Sequence, residues 1–187
     1  MGLKSFKEKG IMGGLERIGA DYKGNGKCEF TVWAPFAQTV DVIIVSQEKM
    51  IIPMQKKRSG FWTAGFERIF AGDTYLICLD RTKERPDPAS HYQPQGVHGP
   101  SQIVDHQTFN WTDSGWKGIP LQEMIMYELH TGTFTPEGKF DAIIHRLDDL
   151  KEIGINAIEI MPVSQFPGDR NWGYDGVYIY AVQNSYG

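Results

Sequence analysis

The pattern of apolar and polar positions divides the 187-residue chain into two regions of different period. From about residue 15 to 107, short apolar runs ("CEFTVWAP", "TVDVIIV", "MIIPM", "FWTAGF" and "DTYLICLD") are broken by turn residues. In the first run Cys28, Phe30 and Val32 alternate with Glu29 and Thr31, the pattern of a strand with one side buried. Phe30 and Val32, together with Val42 and Ile44 of the next run, are expected between two sheets, because the alternation leaves them no other apolar cover. Runs of this length and spacing predict a β-sandwich. The segment that follows, "RTKERPDPASHYQPQGVHGPSQ", is too rich in proline and polar residues for a strand interior or a helix, and reads as an ordered or tethered loop.

In the second region "EMIMYELHTG" reads as a buried strand and "INAIEIMPV" as another. Between them "FDAIIHRLDDLKEIG" places Phe140, Ile143, Ile144, Leu147, Leu150 and Ile153 at helical spacing, with Gly154 where a left-handed cap is wanted. Strand, helix and strand of these lengths predict a right-handed parallel βαβ unit. Six apolar side chains, each worth ~1.5–3 kcal/mol if fully buried, call for a sheet over that helix, with Phe140, Ile143, Leu147 and Leu150 facing the strands. Glu128 and Glu159 fall within the two strands, where a buried carboxylate pairs with a donor such as His130 or a backbone group. One such unit is a piece of something larger, and the sequence shows no internal repeat.

Composition narrows the function. With 41% hydrophobic and 22% charged residues and a net charge of −4, the chain lacks the basic excess of a nucleic-acid binder. The opening "MGLKSFKEKG" has charges where a secretory signal needs its apolar core, and no later run is long enough to span a bilayer. A cytoplasmic protein without membrane partners is the expectation. Cys28 and Cys78 lie in apolar runs without metal-ligand spacing or a redox motif; buried free thiols are expected rather than a disulfide. His91 and His98 have no carboxylate or cysteine arrangement near them, so no metal site and no cofactor are expected.

Three separated blocks then carry a resemblance. "FTVWAPFAQTVDVII" is similar to the sandwich that precedes the catalytic barrel in the α-amylase superfamily of glycoside hydrolases. "RPDPASHYQPQGVHGPSQIVD", "YELHTGTFTPEGKFDAIIHRLDDLKEIGINAIEIMPVSQFPG" and "RNWGYDGVYIYAVQNSYG" more narrowly resemble the malto-oligosyltrehalose trehalohydrolase family. The resemblance implies a multi-domain fold: an immunoglobulin-like β-sandwich over residues 1–107, a linker over 108–122, and the first βαβ portion of a (β/α)8 barrel over 123–187. It implies a hydrolase acting on α-1,4-glucans, with malto-oligosaccharide or malto-oligosyltrehalose as substrate and trehalose released from the latter; a glucan branching or debranching enzyme, or a stand-alone carbohydrate-binding module, are the alternatives. It also implies that the catalytic carboxyls lie beyond Gly187, so no catalytic residue is assigned within the chain.

The stretch "NWGYDGVY" carries the candidate binding chemistry. Sugars are apolar on their C–H faces and ringed with hydroxyls, so a sugar site joins an aromatic platform to amide or carboxylate acceptors. By the resemblance Tyr174 inherits a role in stacking on a sugar, with Trp172 and Asp175 as weaker candidates for substrate binding. Asp169 and Asp175 follow the second strand, on the face where barrel active sites form. A core position is the competing reading for the aromatics and is preferred for Tyr178 and Tyr180. Trp111 and Trp116, either side of the turn in "TDSGWKG", are expected to pack between sandwich and barrel, with a carbohydrate platform as the alternative.

Overall fold

The computed structural model describes residues 17–46 and 48–187; the charged opening "MGLKSFKEKG", and with it the start of the 1–107 region, lies outside the described residues. Strands β1 (Gly19–Gly24) and β2 (Lys27–Trp33) form a hairpin through Asn25 and Gly26, whose φ values of 52° and 75° are those of a tight primed turn. There follow β3 (Val40–Ile44), β4 (Met50–Pro53), β5 (Gln55–Lys56), β6 (Phe61–Glu67), β7 (Thr74–Leu79), β8 (Lys83–Arg85) and β9 (Ser101–Gln102). One sheet has the order β1-β2-β6-β5; the other runs β4-β3-β7-β8, with β9 also paired to β7. Every pairing in the two is antiparallel.

The two sheets share one apolar core. Phe30, Val32 and Trp62 come from the first sheet, Val42, Ile44, Tyr75 and Ile77 from the second. Phe30 meets Tyr75 edge-on with ring centroids 5.2 Å apart, so the four residues expected between the sheets are there. Both cysteines are free and buried, as their apolar surroundings predicted. The five apolar runs became β2, β3, β4, β6 and β7. Two short strands, β8 and β9, lie within the segment expected to be loop: the sequence of β8, Lys83-Glu84-Arg85, is exposed and wholly charged, paired to β7 through its backbone, which leaves no apolar alternation to read.

Between β8 and β9 the proline-rich segment is ordered by a buried carboxylate. Asp87 accepts hydrogen bonds from the Tyr75 hydroxyl (2.7 Å) and the Ala89 N–H (2.9 Å), and its own N–H donates to the Ser101 hydroxyl (3.0 Å). Burial pushes its pKa up, while the bond from Tyr75 opposes that.

The second region comprises β10 (Met126–Leu129), α1 (Thr131–Phe134), α2 (Phe140–Ile144), α3 (Leu147–Glu152), β11 (Ala157–Ile160), β12 (Ser164–Gln165) and β13 (Tyr178–Val182). β10 and β11 pair in parallel, Met126 opposite Ala157 through Leu129 opposite Ile160, with the helices between them in sequence. β12 and β13 pair antiparallel.

Several details of this region differ from expectation. The predicted helix is two: the Arg146 N–H bonds the Ile143 carbonyl, three residues back, and this tighter turn separates α2 from α3. Gly154 caps as predicted, with its N–H on the Lys151 carbonyl and the Ile155 N–H on that of Leu150. Ile143 and Leu150 are buried and Phe140 is half-buried, but Leu147, Ile144 and Ile153 face solvent. Met126, Tyr127, Ile158 and Ile160 are likewise exposed, so β10 and β11 are not the buried strands expected. Two paired strands make too narrow a sheet to cover these helices or to bury its own faces. Glu128 and Glu159 are register partners, and both are exposed rather than buried. Trp111 and Trp116 are 73% and 70% exposed among the described residues rather than packed; Trp111 meets Phe109 edge-on, with ring centroids 4.7 Å apart.

The proline-rich segment and the C-terminal strand meet. The Tyr178 hydroxyl donates to the Val97 carbonyl (2.9 Å), the Asn184 side-chain amide donates to that of Pro94 (3.1 Å), and the His91 ring stands edge-on to Tyr180. Tyr178 is therefore a core aromatic as expected, whereas Tyr180 is half exposed.

Candidate functional site

The loops that follow β10 and β11 converge at the C-terminal ends of the parallel pair. His130 directly follows β10, and its carbonyl accepts the Thr133 and Phe134 N–H groups that start α1. Its Nε2 lies 2.6 Å from the carbonyl oxygen of Asn171, in the loop between β12 and β13. A carbonyl can only accept, so Nε2 carries a hydrogen; Nδ1 lies 3.2 Å from the Thr133 hydroxyl, which can serve it as donor or acceptor. His130 does not serve Glu128, the partnership the strand pattern suggested.

Asn171 organises the loop around itself. Its Oδ1 accepts the N–H of Gly173 (2.7 Å) and, at 3.4 Å, that of Asp175, while its Nδ2 donates to the Asp175 carboxylate at 2.9 Å. Gly173 is buried with φ of 99°, and a Cβ there would stand 2.7 Å from the Pro162 carbonyl oxygen, so only glycine lets the loop fold this tightly. The flanking residues are consequently turned outward: Trp172 is 77% and Tyr174 76% exposed.

A buried amide pair supports the loop from below. Gln183 Oε1 accepts from Gln165 Nε2 (2.8 Å) and the Phe166 N–H (3.0 Å), while Gln183 Nε2 donates to the Gly168 carbonyl and the Ser185 hydroxyl, each at 3.1 Å. Gln165 Oε1 accepts the Asn184 N–H at 2.9 Å. Tyr186 is buried against the ring edges of His130, Phe140 and Phe166, and burial raises its pKa. The terminal "YAVQNSYG" is thus the underside of the loop that begins at Gly168.

An open cleft of about 680 Å³ lies beside this loop, lined by His130, Gly132, Thr133, Asp169, Arg170, Asn171 and Trp172. Of the residues expected to bind substrate, Trp172 lines it; Tyr174 projects from the same loop without lining it, and Asp175 is held by Asn171. The cleft joins an indole face to an imidazole, a guanidinium, a carboxylate and an amide, a combination suited to a hydroxyl-rich ligand with apolar faces. His130 and Asn171 were missed as site residues, because their contacts join parts of the chain 41 positions apart. An available signal was "NWGYDG" itself, in which an Asn followed at two and four residues by Gly and Asp is the pattern of a side chain bonding the backbone ahead of it. Among the described residues no group of three or more His, Cys, Asp or Glu side chains is placed to hold a metal, and no helix is long and apolar enough to cross a membrane.

Residues 17–93 match the family described as carbohydrate-binding module 48, the isoamylase N-terminal domain. More narrowly, the chain is similar to the N-terminal part of malto-oligosyltrehalose trehalohydrolases. It is 48% identical to the one from Saccharolobus solfataricus over 84% of this chain, but spans only 28% of that relative's length. Among solved structures it superposes on a provisionally assigned alpha amylase from Salmonella typhimurium with a TM-score of 0.84 and 40% identity, covering 91% of this chain and 29% of the other. A pullulanase from an Anoxybacillus species, solved with maltotetraose, gives a TM-score of 0.78 at 26% identity, covering 94% of this chain and 30% of that one.

Proposed function

We propose that this chain is the N-terminal part of a glycoside hydrolase acting on α-1,4-glucans, most specifically one that hydrolyses malto-oligosyltrehalose and releases trehalose. On this reading residues 1–107 are the sandwich domain, 108–122 a linker, and 123–187 the opening βαβ portion of a (β/α)8 barrel, a form of ~250 residues in which active sites sit at the C-terminal ends of the strands. The observation that carries the reading is the Asn171-buckled loop at those ends, which displays Trp172 and Tyr174 beside the cleft. The exposed apolar faces of β10, β11 and the helices support it, since further strands would cover them. Two buried free thiols suit a reducing, cytoplasmic compartment.

Glycoside hydrolysis requires two carboxyls flanking the bond, about 5–5.5 Å apart in retaining enzymes. None is assigned here, and the enzyme's remaining length supplies them. Trp172 and Tyr174 form one wall of the site, stacking on the apolar face of a glucose unit, and the polar cleft residues meet its hydroxyls. The match over residues 17–93 favours a second reading, in which the sandwich binds glucan by itself; calorimetric titration of maltotetraose into residues 17–107 separates the two, since saturable heat supports the module.

The main reading is tested by Tyr174→Ala and Trp172→Ala in the enzyme extended to the length of its relatives. Loss of one stacking contact, ~0.5–1.5 kcal/mol beyond area burial, lowers trehalose release by at least a few-fold with folding retained. Unchanged turnover in both variants removes the sugar-wall role. The 187 residues alone release no trehalose; turnover that disappears on Glu128→Gln or Glu159→Gln would overturn the assignment of catalysis to the remaining length.

A further inference from the structure

Building on the sugar-wall reading above, we infer that His130 is a positioning residue for that wall, setting the loop of Trp172 and Tyr174 through an Nε2–H bond to the Asn171 carbonyl. Trp172 and Tyr174 are about three-quarters exposed, so almost nothing packs against their rings; where they stand is decided by the backbone beneath them. That backbone is organised by Asn171, whose side chain bonds Gly173 and Asp175. The backbone carbonyl of Asn171 accepts from His130 Nε2 at 2.6 Å, a short bond anchored on the strand end. His130 is in turn met on its other nitrogen by Thr133 Oγ1 and edge-on by the ring of Tyr186, whose hydroxyl oxygen lies 3.4 Å from Nε2. Hydrogen bonds therefore run without a break from the end of β10 through His130 to the loop. A hydrophobic residue at 130 would leave the Asn171 carbonyl without its imidazole donor and free the loop to shift against the cleft.

The test uses the full chain, isotopically labelled. Long-range proton–nitrogen spectra of its imidazoles show His130 protonated at Nε2 at neutral pH, and a Nδ1–H tautomer overturns the inference without any variant being made. Amide exchange at Gly173 and Asp175 becomes about tenfold faster in His130→Ala, the scale of losing a hydrogen bond to a shared anchor. In His130→Gln, whose side-chain amide can donate to the same carbonyl, it returns toward the parent rate, while amides of β3 exchange alike in all three. Equal exchange at Gly173 and Asp175 in His130→Ala and parent overturns the positioning role. Maltotetraose affinity follows the same order, weakened in His130→Ala and recovered in His130→Gln. If the parent binds no maltotetraose while the exchange pattern holds, the sugar reading fails and the positioning of the loop by His130 stands.

Discussion

The thiol of Cys28 lies on the inner face of β2, and burial, reinforced by the carboxylates of Asp21 and Glu29, pushes its pKa up to about 12. Burial also raises that of Cys78, with Glu84 and Asp41 adding to the effect. The thiolate is the reactive form, so at pH 8 Cys28 labels with a thiol reagent roughly a thousandfold more slowly in the native chain than in denaturant. Rapid native labelling of Cys28 would mean that the two sheets do not close over it. Burial of this residue was legible because it alternates with Glu29 within one strand. The work of Gln165 and Gln183 was not, since an amide in a polar segment reads as solvated until the distant groups it bonds are brought to it.

At the scale of elements, apolar periodicity is informative in proportion to how completely an element is covered. β3 is buried at every position, lying between β4 and β7 with the opposite sheet over it. Ile44→Ala in this strand is expected to cost about 2–5 kcal/mol, by lost burial and the cavity left behind. Ile51→Ala in the neighbouring β4, where the side chain is exposed, changes stability by no more than ~0.5 kcal/mol. Urea unfolding of the two variants measures the contrast, and equal effects would contradict the assigned faces. Elements with little apolar content, β8 and β9, left no such trace, and the break between α2 and α3 arises from a local turn that the apolar spacing carries straight across.

Across the whole molecule, the link between the sandwich side and the C-terminal strand includes a pair of imidazoles. His91 and His106 are joined by a hydrogen bond of 3.2 Å between Nδ1 and Nε2, and the His91 ring stands against Tyr180 of β13. Burial lowers the pKa of His91 from its ordinary 6.5; His106 and Arg17 lower it further, and Asp21 opposes them. Because the folded value is depressed, the unfolded chain takes up this proton first as the solution is acidified. The stabilisation is complete above about pH 6.5 and is lost as pH falls through the folded value. Melting temperatures between pH 8 and pH 5 should therefore decline below 6.5, with a smaller decline in His91→Gln, which has no proton to take up. An identical decline in that variant would place the acid sensitivity elsewhere.

Local chemistry was enough to specify the sandwich strands, the Gly154 helix cap and the free thiols, because each depends on neighbours within a few residues or on one alternating face. The pairing of His130 with Asn171, the amide layer beneath Gly168, and the docking of residues 94–97 onto Tyr178 and Asn184 were decided by tertiary structure alone. These contacts join positions 15 to 90 residues apart, and the hydrogen-bonding capacity of a histidine or an amide does not say which distant carbonyl will satisfy it until the strands have brought that carbonyl within reach.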